Sequence, residues 1–140
     1  MFFVANTAGD LLEIRVASPL TMDDAMAMFK KIYKTIPRGR TSRVIVDARG
    51  LRIVDPAVVD AVVIMMKQDN PSVQRNAFLL PDGALMAIQA ERMLKDLGAS
   101  NRRAFRVRSD AEAWLAETCT PEERARLRRF LDETAPLVTG

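Results

Sequence analysis

The sequence predicts an α/β fold: a mixed five-stranded sheet with a parallel core and an antiparallel N-terminal strand, helices packed against it, in the order ββαβαβαβα plus a C-terminal helix. Three observations carry this. Two short strands separated by a glycine turn open the chain. The β-branched run Val44 to Val46 reads as a central strand covered on both faces. Capped amphipathic helices then alternate with strands to the end.

The opening strands are Phe2 to Ala5 and Leu11 to Val16, joined through Ala8-Gly9-Asp10. In the second, Leu12, Ile14 and Val16 alternate with Glu13 and Arg15, the pattern of a half-buried antiparallel strand with its charges outward. Thr21 offers an N-cap, with Asp23 and Asp24 in the first turn. Apolar positions then recur three and four apart to about Lys34, and Pro37-Arg38-Gly39 stops the helix. Asp55 caps the second helix with Pro56 at its first position, where a missing N–H costs nothing. Asn70-Pro71 closes that helix, and Ala77 to Leu80 forms the next strand.

A third helix covers about Ala84 to Leu97, its Met86, Ala90, Met93, Leu94 and Leu97 inward, and Gly98 ends it. Ala104 to Val107 is the fifth strand, with Arg106 and Arg108 outward. Arg102, Arg103, Arg106 and Arg108 read as a solvated strand edge that discourages edge pairing. Ser109 with Glu112, and Thr120 with Glu123, are spaced as capping boxes for two closing helices. Residues 1–117 form the domain, and residues 118–140 a C-terminal amphipathic helical extension.

Composition narrows the function. A formal charge of +3 over 140 residues is slight and spread along the chain, so the counterion-releasing basic patch of a nucleic-acid binder is not expected. Cys119 is the only cysteine, which excludes a disulfide framework within the chain and a cysteine metal cluster. The N-terminus lacks the basic start and apolar run of a signal peptide, and the longest apolar stretch, Ala57 to Met66, is too short to span a bilayer. A cytoplasmic location is the expectation.

Chemistry-bearing residues are sparse. There is no histidine and no glycine-rich phosphate loop, so neither a His-assisted nucleophile nor a histidine metal site is expected, and no cofactor. Asp47, Asp55 and Asp60 leave a carboxylate mechanism formally open, but Asp55 has a capping role and Asp60 faces water. No catalytic residue is assigned. Cys119 reads as a structural thiol.

The second helix is apolar around its circumference, with Val58, Val59, Val62, Val63, Ile64, Met65 and Met66 interrupted only by Asp60. Such a helix is either squeezed between sheet and neighbouring helices, or meets a partner or apolar ligand with its second face. The closing helix sets Leu127, Phe130, Leu131 and Thr134 against Arg124, Arg126, Arg128 and Arg129. It either packs back on the domain or lies on a partner or an anionic membrane.

Asp47-Ala48-Arg49-Gly50-Leu51-Arg52-Ile53-Val54-Asp55 resembles the strand–Asp–x–x–Gly–x–x–apolar–apolar–Asp segment of the STAS domain family, the sulphate transporter and anti-sigma factor antagonist domains. The element order, and Phe105 to Leu115 at the end of the domain, are similar to its stand-alone bacterial SpoIIAA-like branch. The resemblance implies a non-enzymatic regulatory module that binds a protein partner, or itself as a homodimer. Gly50, Asp55, Pro56, Val58, Val59 and Val62 are then the partner-binding candidates. Phospho-regulated members carry a serine after the second Asp; here Pro56 and then Ala57 take that place, and no hydroxyl occurs from Arg43 to Pro71. The resemblance also implies an alternative, a carrier of small apolar or lipid-like molecules between helices and sheet. Met26, Phe29, Met65, Met66 and Met93 are the candidate cavity residues.

Overall fold

A computed structural model describes residues 1–36 and 40–133. The strands are β1 (Phe2–Ala5), β2 (Leu11–Ala17), β3 (Ser42–Gly50), β4 (Val73–Leu79) and β5 (Arg102–Phe105). The helices are α1 (Met22–Thr35), α2 (Pro56–Asp69), α3 (Ala84–Leu97), α4 (Arg108–Ala116) and α5 (Pro121–Asp132), with a single 3-10 turn at Asn70–Ser72. The expected stop at Pro37-Arg38-Gly39 and Thr134 of the closing helix lie outside the described residues.

The five strands lie side by side in chain order. β1 is antiparallel to β2, and β2 through β5 are parallel, so the predicted α/β class and mixed sheet hold. Each parallel step moves one strand in the same direction. Right-handed crossovers therefore place α1, α2 and α3 on one face. The other face has to be covered by the chain beyond β5, which is why α4 and α5 pack onto it.

Side-chain parity sorts the sheet between these layers. Val4, Leu12, Ile14, Val16, Val44, Val46, Phe78 and Leu80 face α1–α3. Leu11, Ile45, Ala77 and Leu79 meet Ala111, Leu115, Leu127, Phe130 and Leu131 under α4 and α5. The all-round apolar helix α2 is the middle of three. Its Val58 packs with Ala25 and Val54, its Val63 and Met66 join the sheet core, and Ile64 is left facing outward.

Three sequence expectations are corrected. Glu13 and Arg15 do not face water: they are 0% and 5% exposed, because α5 lies across them. β2 is covered on both faces, pairing antiparallel with β1 and parallel with β3. β5 begins earlier than expected and ends at Phe105, so Arg108 opens α4 instead of lying on the strand. The Ser109–Glu112 capping box does not form, since the Glu112 carboxylate accepts from Arg108 Nε at 2.9 Å. The boxes at Thr21–Asp24 and Thr120–Glu123 do form, and Asp55 accepts from the Ala57 amide.

Glu123 shows how tightly the α5 layer closes. It is 0% exposed and accepts from the Asp10 amide at 2.6 Å, the Thr120 amide at 2.8 Å and the Arg43 guanidinium. Burial by itself raises its pKa, but these hydrogen bonds outweigh that and hold it below the ordinary glutamate value. Gly9 passes so close, at φ +50°, that a Cβ there lies 2.5 Å from Glu123 Oε2. Glycine is required at that turn.

Candidate functional site, a cavity between helices and sheet

Between the sheet and α1–α3 the packing is incomplete. A cavity of about 140 Å³ runs along the inner face, lined by side chains of β2, β3, β4, α1, α2 and α3 with Arg102 of β5. Interiors are packed to crystal-like density, and a void near 150 Å³ lined by aliphatic and aromatic groups stays dry and takes up benzene. This one is of that size.

The chain makes the void by its choice of residues. Val44, Val46 and Ala48 on β3 and Ala90 on α3 are short side chains along its wall, and the unbranched Met28, Met66, Met86 and Met93 supply much of the rest. Leu20, Leu51, Val54 and Leu80 close the end beyond the C-terminal edges of the strands, where Gln89 donates to the Val54 carbonyl at 3.0 Å.

The opposite end is polar. Asp69, Asn76 and Arg102 line it, at the C-terminus of α2, the middle of β4 and the start of β5. Arg102 is 7% exposed. Its Nε donates to Asn70 Oδ1 at 2.9 Å, one Nη to Asn76 Oδ1 at 2.7 Å and the other to the Met66 carbonyl in the last turn of α2 at 3.2 Å. Desolvation pulls its pKa down to about 10, only partly offset by the charge of Asp69. Asp69 is 9% exposed, and burial pushes its carboxyl above the ordinary aspartate value against the pull of Tyr33 and Arg102. No ion pair joins Asp69 to Arg102 among the described residues.

Of the predicted cavity residues, Phe29, Met66 and Met93 line this space. Met26 and Met65 instead border an open groove outside, between α1 and α2, which meets the cavity residues at Phe29. Among the partner-binding candidates, Val59 and Val62 turn inward to the cavity and Val58 is buried against Ala25 and Val54. Asp55 and Pro56 are exposed at the start of α2, and Gly50 ends β3 half-buried. Ile53, in the same loop, is 74% exposed.

Asp47 and Asp55 are not brought together. Asp47 lies under α5, 3.6 Å from Arg15 and 2.8 Å from Arg49, whereas Asp55 caps a helix on the other face. Asp60 is exposed. Cys119 is buried in the α4–α5 core, where desolvation raises its pKa and keeps it a thiol.

Sequence reasoning misses Asp69, Asn76 and Arg102. It groups Arg102 with an outward strand edge, yet Arg102 shares its strand face with Ala104, which packs on the inner core. Strand parity exposes it once β5 is given its earlier start. Comparison with protein-family models, curated proteins and solved structures finds no match to this chain.

Proposed function

We propose that the chain is a binding module that holds a small apolar molecule in the cavity between α1–α3 and the sheet. The observation that carries this is a void of about 140 Å³ walled almost wholly by apolar side chains. A chain that packs its other face closely keeps such a space at a cost in packing, and a bound molecule offsets that cost. The resemblance to the STAS domains is consistent with the reading, since it implies non-enzymatic modules, and in the SpoIIAA-like branch apolar ligands between helices and sheet. The place proposed for such a module is the cytoplasm. Among the described residues no helix is long and apolar enough to cross a membrane.

The test is mass spectrometry of organic extracts from protein purified out of its native cell. A stoichiometric apolar molecule, absent from extracts of an Ala90→Leu variant that fills the void, is the expected result. Extracts of the wild type and variant that are identical overturn the reading.

A second reading rests on Ile53. An isoleucine this exposed, two residues from Asp55 and three from Pro56 in the segment that resembles the STAS signature, fits contact with a regulatory protein or a second copy of the chain. On that reading the partner is met by Gly50, Ile53, Asp55 and Pro56. Ile53→Asp then removes cross-links made by a photoreactive residue at position 52 in native extract, while ligand uptake is unchanged. Cross-links that persist in Ile53→Asp count against that surface.

A further inference from the structure

We infer that the molecule held in the cavity is a small apolar carboxylate, its hydrocarbon part against Phe29, Met66 and Met93 and its anionic group against the guanidinium of Arg102. The inference rests on the proposed function and adds the chemical class of the ligand. Its basis is a contrast among the buried cations. Under α5, Arg15 lies 3.6 Å from Asp47, Arg43 pairs with Glu123, and Arg126 lies 2.6 Å from Glu13. Arg102, on the cavity face, has three neutral oxygens and no carboxylate in contact among the described residues.

A buried guanidinium with no carboxylate in contact is an unusual and costly arrangement, because the Coulomb attraction from Asp69 offsets only part of its desolvation. Three of its five N–H groups are used in those hydrogen bonds, which leaves two for incoming oxygens. Arg102 also lines the void itself, so an anion reaches it only as the end of something that occupies the apolar space. A free inorganic anion has no use for the rest of the cavity, and a cationic head meets the wrong charge.

Asp69 sets the opposing field. It lines the same end, where the Tyr33 hydroxyl, 3.3 Å from Gln68 Oε1, and the charge of Arg102 only partly offset its burial. Asp69 therefore limits how tightly a carboxylate binds, without being needed to hold Arg102 in place.

The experiment titrates octanoate, octanol and octylamine into the full chain by calorimetry. Octanoate binds tightest, by about tenfold over octanol, the scale of one charge-assisted hydrogen bond. Arg102→Gln lowers octanoate affinity to that of octanol and leaves octanol unchanged. Asp69→Asn, which leaves the three hydrogen bonds of Arg102 in place and so keeps the test open if Arg102→Gln does not fold, raises octanoate affinity several-fold and leaves octanol as it was. Octanol binding as tightly as octanoate, octylamine binding tightest, or Asp69→Asn failing to favour octanoate overturns the carboxylate assignment while the cavity reading stands. If none of the three probes binds, the cavity reading fails and this inference with it.

Discussion

Under α5 the sheet presents Glu13, Arg15, Arg43 and Asp47, each buried or nearly so and each facing an opposite charge; under α1–α3 it presents valines, isoleucines and alanines with Asn76 and Arg102 at one end. The first face is closed, by ion pairs and by the stack of Phe3 on Phe130 at 6.5 Å, with the Arg15 guanidinium 4.4 Å from the Phe130 ring centre. The second face is apolar yet leaves a void of about 140 Å³. Charge is thus found where the packing is complete, and apolar surface where it is not. Such a division teaches that polarity alone does not mark a candidate binding site; unfilled volume beside a charge with no counter-ion in contact does.

The contrast breaks hardest at Glu123. Its replacement in Glu123→Gln leaves Arg43 buried without its anion, and urea unfolding should show a loss of about 3–5 kcal/mol. A loss near zero means that the layer under α5 is wetter than its geometry implies.

A matched pair of enlargements compares the faces directly. Ala77→Leu adds three carbons to the closed face and should cost about 1–3 kcal/mol or more. Ala90→Leu puts the same carbons into the void and should leave stability unchanged or raised. Equal losses at both positions remove the distinction between the faces.

Acid sharpens it further. Glu123 has a depressed pKa in the fold, so its contribution is complete above the unfolded value of about 4.3 and drains away as pH falls through the lower folded value. Asp69 has the opposite sign: burial raises its pKa, so its ionisation opposes folding above that raised value. Stability should therefore fall below about pH 4 in the wild type, and less steeply in Glu123→Gln. The smallest effect belongs to Asp69→Asn, a modest rise in the unfolding midpoint at neutral pH, read by calorimetry.

Much of this architecture was legible because local signals agreed with the global order. Pro56 at the start of α2, the Thr21 and Thr120 boxes and Gly98 at the end of α3 each punctuate an element where the structure has one. The outward reading of Glu13 and Arg15 fails for a non-local reason. Alternation reports that two faces of a strand differ, and it is blind to a later helix arriving with Arg126 and Glu133 to neutralise the polar one. The site was half legible. Phe29, Met66 and Met93 follow from helix periodicity, but a cavity is a shortage of volume summed over six elements, and no single segment records it. Arg102 was hidden by a strand boundary displaced by two residues, which let it be grouped with the outward arginines of the strand edge although it shares a face with Ala104.

The most direct test is the shift in unfolding temperature produced by saturating octanol in the wild type and in Ala90→Leu. A clear rise is expected in the wild type, by the linkage of binding to folding, and none in the variant whose cavity is filled. The same shift in both proteins, or none in either, contradicts a ligand-holding void.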